Sequence, residues 1–249
     1  MTDAELAADL AARAGALLLD LRASGRFEGK ALGAEGDLKA NALLLEGLAR
    51  ARPGDAVLSE ESQDDPARLG ARRVWIVDPL DGTREYGEGR SDWAVHVALT
   101  EKGVPVAGAV ALPGLGLTLR SDRPLPLAQP VSPARMVVSR TRPAAEAVRV
   151  AEALGAELVP MGSAGAKAMA VVRGEAEIYL HSGGQYEWDS CAPVAVAQAH
   201  GLHCSRLDGS PLSYNQADTY MPDLLICRRE QAASLIALVR TISAPPPAP

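Results

Sequence analysis

Aromatic side chains are scarce in this chain of 249 residues: one Phe, three Trp and five Tyr, 4% in all. Ala, Leu and Val must therefore fill the interior, which suits helices packed on sheets. Lysine is rarer still, present only as Lys30, Lys39, Lys102 and Lys167, and the net charge is −6. That balance argues against non-specific binding to nucleic acid or to an anionic membrane. The three cysteines, Cys191, Cys204 and Cys227, show no CxxC and no Cys/His zinc spacing. Free thiols in a reducing cytoplasm are expected. No basic segment followed by an apolar run opens the chain, so no signal peptide is expected, and no run is long enough to span a bilayer. Hydrophobic residues still reach 47% and charged residues 22%, enough for a full core in one large domain or two small ones.

Thr2 and Glu5 have capping-box spacing, and Leu6, Leu10, Ala14, Leu17 and Leu21 follow at helical intervals. Residues 25–38, rich in Gly, read as a mobile loop, with a second helix from Lys39 to Arg52 stopped by Pro53-Gly54. A short strand at Ala56–Leu58 runs into Ser59-Glu60-Glu61-Ser62, and another at Val74–Val77 runs into Asp78. Residues 93–120 read as three strands joined by turns at 101–103 and 113–114. Four prolines crowd 121–134, the expected boundary between an N-terminal α+β subdomain (1–122) and a C-terminal α/β subdomain (134–242). Beyond it strands near 136–139, 157–160 and 176–181 alternate with helices at 143–154, 164–173 and 189–199. Further strands and a helix near 229–240 precede a tail, 243–249, expected to be disordered.

The densest chemical signal is Asp78-Pro79-Leu80-Asp81-Gly82-Thr83. Pro79 offers no N–H to a ladder and is expected to end the strand. Two carboxylates then sit at a strand end, ahead of a turn or helix start whose N–H groups suit phosphate. Carboxylates beside a phosphate nest repel the phosphate unless cations lie between them, so the arrangement makes sense chiefly as a metal site. Glu60 and Glu61 also follow a strand, Asp189 opens a helix, and Asp37 lies in the Gly-rich loop. Hard oxygen ligands of this kind suit Mg²⁺ or Mn²⁺. Taken singly, Asp189 reads as a helix cap, Asp37 as uninformative, and Asp64-Asp65 as a solvated loop.

Glu60-Glu61, Trp75-Ile76-Val77-Asp78-Pro79-Leu80-Asp81-Gly82-Thr83 and Trp188-Asp189-Ser190 resemble, in order and spacing, both signatures of the inositol monophosphatase family. The resemblance extends over essentially the whole chain apart from the tail. It implies a five-layer αβαβα sandwich with the site between two subdomains. It also implies that Glu60, Asp78, Asp81, Asp189 and the carbonyl of Leu80 hold two or three Mg²⁺ ions, for which Mn²⁺ can substitute. Asp37 and Thr83 are implied as the pair that activates water, Glu61 as an inner acidic neighbour, and Gly82 and Thr83 as N–H donors to phosphate. Arg84-Glu85-Tyr86, Ser59 and Gly162-Ser163 resemble the branch that hydrolyses 3′-phosphoadenosine 5′-phosphate. Arg84, Ser163, Lys167 and Glu187 are its implied substrate contacts, although one extra residue separates Ser163 from Lys167.

The resemblance thus implies a cytoplasmic phosphomonoesterase of sulfur metabolism, lithium-sensitive, acting on a small phosphate ester, with no nucleic-acid or membrane partner and a homodimeric assembly among the options. An inositol-1-phosphate or fructose-1,6-bisphosphate phosphatase on the same fold is the alternative. A regulator that has lost catalysis would lack a ligand or Thr83, and none is missing. Cys191, two residues past Asp189, is expected to be buried and inert, and His200 to be structural at a helix C-terminus. Asp81→Asn is expected to abolish activity with the fold retained.

Overall fold

The structure, a computed structural model, describes residues 1–243. Helices α1 (Asp3–Ala23) and α2 (Gly29–Ala51) precede strands β1 (Ala56–Ser59) and β2 (Arg73–Asp81). A short helix, α3 (Thr83–Gly87), leads to strands β3 (Ala94–Glu101), β4 (Val104–Leu112) and β5 (Leu117–Arg120). After β6 (Arg135–Ser139) come α4 (Ala145–Leu154), β7 (Glu157–Met161), α5 (Ala164–Val172), β8 (Ile178–Tyr186) and α6 (Glu187–Ala199). Strands β9 (Leu202–Ser205) and β10 (Tyr220–Arg228) and helix α7 (Arg229–Ser243) complete the described chain. The tail expected to be disordered lies, beyond Ser243, outside the described residues.

The strands form two five-stranded sheets, ordered β1-β2-β3-β4-β5 and β7-β6-β8-β10-β9. Helices α1 and α2 cover the outer face of the first sheet, and α4 and α7 that of the second. Helices α5 and α6 lie between the sheets, touching β2, β3 and β4 on one side and β8 and β10 on the other. The result is the expected αβαβα sandwich. Each sheet buries both faces, so three apolar clusters form. The shortage of aromatics is met by close approach: a Cβ on Gly108 of β4 would come within 2.7 Å of Ala195 Cβ on α6.

The Thr2–Glu5 capping box is present at the start of α1. Two expectations are corrected. The Gly-rich stretch is not a loop: α2 begins at Gly29, not Lys39, and Asp37 lies inside it. Gly33 and Gly36, on its buried face, let the helix approach Thr83, Leu80 and Tyr86 more closely than any side chain would allow. Pro79 does not end β2, which continues to Asp81 through a register shift against β3 between Asp78 and Asp81. One extra residue on β2 leaves Pro79 without a ladder bond to make, the usual way a strand tolerates proline.

Candidate active site

The bulge decides where the carboxylates point. In a regular strand, residues three apart face opposite sides of the sheet. Here Asp78 pairs with His96 and Asp81 with Ala94, so three steps on β2 match two on β3. The extra residue turns Asp81 to the side that Asp78 faces. Ligand atoms of Asp78, Asp81 and His96 consequently lie within 4.8 Å of one another, all buried. Strand β1 runs parallel beside β2, and the Glu60 N–H donates to the Val77 carbonyl at 3.3 Å, which brings Glu60 to the same end. Asn41 of α2 fastens that loop: its Oδ1 accepts from the Ser59 hydroxyl at 2.7 Å, and its Nδ2 donates to Ser62 Oγ at 3.0 Å and the Glu61 carbonyl at 3.3 Å.

Asp189 is not a first-position cap. It occupies the third position of α6 and accepts from the Tyr186 N–H at 2.7 Å. Asp81 reaches across the interface between the sheets to the start of α5. It accepts from the N–H groups of Ala164 (3.1 Å) and Gly165 (2.6 Å) and from the Ser163 hydroxyl. His96 Nε2 faces Asp81 Oδ2 at 3.2 Å, and Nδ1 donates to the Trp188 carbonyl at 2.9 Å. With one ring nitrogen committed as a donor, the other meets the carboxylate favourably only when protonated. Burial alone would lower the imidazole pKa, but the Asp81 charge raises it. Reciprocally, burial would raise the Asp81 carboxyl, yet His96 and the Ser163 hydroxyl hold it at about 2.

The remaining acids are pushed the other way. Burial, with the charges of Glu60, Asp81 and Asp189, raises Asp78 well above its usual range. Loss of water, then Asp81, Glu61 and Asp37, lifts Glu60 to about 7. Burial and Asp81 lift Asp189 to about 7. Carboxyls that hold protons near neutrality because they are buried and repel one another form an oxygen-rich cluster suited to a hard divalent cation. Among the described residues, this is the cluster whose donor chemistry fits the expected metal. Asp81 Oδ1 accepts from the Ala164 N–H and keeps a lone pair for the metal.

Thr83 opens α3, and its hydroxyl lies 3.1 Å from the Leu80 carbonyl and 3.5 Å from Asp37 Oδ1. Burial and the neighbouring Glu61 raise Asp37 to about 7. Gly82, just ahead, has φ +90°, a conformation glycine adopts without strain. Arg84 is exposed and lines, with Lys30, Asp37, Thr83 and Glu88, a cavity of about 500 Å³. Two expected substrate contacts have partners inside the protein. Lys167 is 5% exposed and donates to the carbonyls of Gly162 (2.8 Å) and Ser163 (2.6 Å), fixing the turn that carries Ser163. Glu187 is fully buried, and its oxygens accept from the N–H groups of Asn215 (2.6 Å) and Gln216 (2.7 Å).

Cys191 is fully buried, and burial pushes its thiol well above the usual range, so it is not a nucleophile. His200 caps α6 with Nδ1 on the Val196 carbonyl at 2.8 Å. Asp64 and Asp65 do more than face solvent. Asp64 forks onto the buried Arg68, which reaches Asn215 and Gln216, and Asp65 accepts from the Ala67 N–H. His96 and Asn41 are the residues that sequence reasoning missed. A lone His amid the apolar residues of 94–99 was the one available signal.

The Inositol monophosphatase family model matches residues 3–244. The chain belongs to the inositol monophosphatase family. A 3′-phosphoadenosine 5′-phosphate phosphatase of Mycobacterium leprae is 52% identical over 257 aligned positions, covering 97% of this chain and 95% of the relative. A protein of the same name from Mycobacterium tuberculosis is 54% identical over 237, covering 91% and 89%. Among solved structures, CysQ from Bacteroides thetaiotaomicron, described as a bacterial member of this family, superposes with TM-score 0.78 at 26% identity, covering 91% of this chain and 97% of that one. Among the described residues, no helix of this family member is long and apolar enough to cross a membrane.

Proposed function

We propose that this chain is a Mg²⁺-dependent phosphomonoesterase that converts 3′-phosphoadenosine 5′-phosphate to AMP and inorganic phosphate. The observation that carries the chemistry is the buried carboxylate cluster at the β2 bulge, facing the Asp37–Thr83 pair. The substrate rests on the names of relatives 52% and 54% identical. Glu60, Asp78, Asp81, Asp189 and the Leu80 carbonyl would hold two or three Mg²⁺, which Mn²⁺ can replace. Bound there, the metal supplies charge neutralisation for the phosphate and a lowered pKa for water.

The chain's own residues do the rest. Gly82 and Thr83 offer backbone N–H groups to the phosphate oxygens. Asp37, with its carboxyl near 7, is poised to take a proton at neutral pH. A water held against the Thr83 hydroxyl attacks phosphorus in line, and its proton passes through that hydroxyl to Asp37. The bond from phosphorus to the ribose 3′-oxygen breaks, and that oxygen takes a proton from solvent. Arg84, exposed at the neighbouring cavity, is placed to meet a charged group of the substrate.

Phosphate release with Mg²⁺ tests this reading on 3′-phosphoadenosine 5′-phosphate, inositol-1-phosphate and fructose-1,6-bisphosphate side by side. The nucleotide should have the highest kcat/KM. Equal or better turnover of the inositol or sugar phosphate would transfer the assignment to those substrates.

A further inference from the structure

Three of the nine aromatic Trp, Tyr and Phe residues gather at one place beside Asp189. Tyr186, at the end of β8, stacks on Trp188 with ring centroids 5.1 Å apart and planes inclined by 12°. Tyr220, directly across the ladder on β10, meets Tyr186 edgewise at 5.9 Å and 80°. Trp75, Trp93, Tyr86, Tyr179 and Tyr214 are fully buried, whereas Tyr186 is 43% and Tyr220 40% exposed. Trp188 is half-buried and rests one side on the central core, so the rings of this group left open to water are Tyr186 and Tyr220. The backbone of the group is also tied to the acidic site: the Tyr186 N–H donates to Asp189 and the Trp188 carbonyl accepts from His96.

We propose that Tyr186, Trp188 and Tyr220 form the wall on which the purine base of the substrate stacks. This inference rests on the nucleotide phosphatase reading above. A phosphate held at the Asp78–Asp81–Asp189 cluster leaves the base about one ribose away, and these rings are the flat apolar surface beside Asp189. Every base has a π-face, so stacking supplies affinity without base-specific hydrogen bonds. The wall would also separate nucleotides from inositol and sugar phosphates, which have no planar ring.

The test compares wild type, Tyr186→Ala and Tyr186→Phe on 3′-phosphoadenosine 5′-phosphate and on inositol-1-phosphate, with Mg²⁺. Loss of one stacking partner should raise KM for the nucleotide about tenfold relative to KM for the inositol ester, with kcat little changed, and Tyr186→Phe should restore it. AMP should also quench a part of the tryptophan fluorescence that Trp188→Phe abolishes. If wild type hydrolyses the nucleotide but Tyr186→Ala leaves the KM ratio unaltered, the wall is wrong and the phosphatase reading stands. If wild type does not hydrolyse the nucleotide, that reading fails, and AMP without a Trp188 quench overturns the wall as well.

Discussion

Gly33 of α2 lies directly against Thr83: a Cβ built on it would come within 2.6 Å of the Thr83 methyl carbon. The helix that carries Asp37 therefore reaches Thr83 only because position 33 has no side chain. Gly33→Ala is expected to push Thr83 and Asp37 apart, beyond the 3.5 Å at which they now stand. Overpacking of this kind costs about 1–3 kcal/mol. A displacement of about 1 Å at reacting groups can lower turnover by roughly 10²-fold. The expected result is a modest fall in Tm with a much larger fall in kcat. Unchanged kcat would remove Asp37 and Thr83 from the proton path.

Asp81→Asn is expected to abolish activity, but the structure alters the expectation for the fold. Both Asp81 oxygens accept from α5, and an amide would turn a donor toward the N–H groups of Ala164 or Gly165. It would also strand the charge on His96. Breaking a buried pair in this way costs about 3–5 kcal/mol. Thermal unfolding should show a drop of that order. Asp189→Asn keeps the acceptor for Tyr186 and should lose activity and Mg²⁺ affinity, measured by calorimetry, with a smaller loss of Tm.

The pH dependence of stability follows from the raised carboxyls. Asp37, Glu60 and Asp189 stand at about 7, and Asp78 is also raised, against ordinary values of 3.8 for Asp and 4.5 for Glu. Between about 4 and 7 the folded chain holds protons that the unfolded chain releases, so the contribution is present below 4 and lost as pH rises. Asp81 runs the opposite way, but its titration, near 2, lies below this window. In EDTA, Tm should fall between pH 5 and pH 8. Mg²⁺ should restore it, and more at pH 8 than at pH 5, because protons then no longer compete for the ligands. The same Mg²⁺ increment at both pH values would refute the crowding of these carboxyls.

Asn41→Ala removes the amide that ties Ser59, Glu61 and Ser62 to α2. The buried Ser59 hydroxyl is left without its acceptor, at a cost of about 1–3 kcal/mol. Because Glu60 sits in the loop so released, weaker Mg²⁺ binding should accompany the lower Tm. A Tm loss with unaltered Mg²⁺ affinity would show that Asn41 supports the fold alone.

Much of this was legible from residues in order along the chain. The capping box, the alternation of strands and helices, and the string from Asp78 to Thr83 all act within a few residues, where composition and spacing speak directly. Two local rules misled. Glycine signals a loop when read alone, yet Gly33 and Gly36 serve close packing of a helix on Thr83, Leu80 and Tyr86. Proline signals the end of a strand, yet Pro79 sits in a bulge where no ladder hydrogen bond is asked of it.

What the sequence by itself determined is the set of chemical groups: six acidic positions (Asp37, Glu60, Glu61, Asp78, Asp81 and Asp189), a threonine and the signatures that carry them. Only the tertiary structure decided which of them act together. The bulge turns Asp78 and Asp81 to one side, because a single extra residue reverses the alternation of a strand. The packing of α5 on β3 and β4 sets its first N–H groups against Asp81, and β3 brings His96 opposite Asp78, both by contacts between residues far apart in the chain. The same folding buries Lys167 and Glu187 in internal hydrogen bonds, while leaving Tyr186 and Tyr220 open beside Asp189. Burial and pairing of this kind depend on which surfaces meet, and spacing along a chain does not encode that.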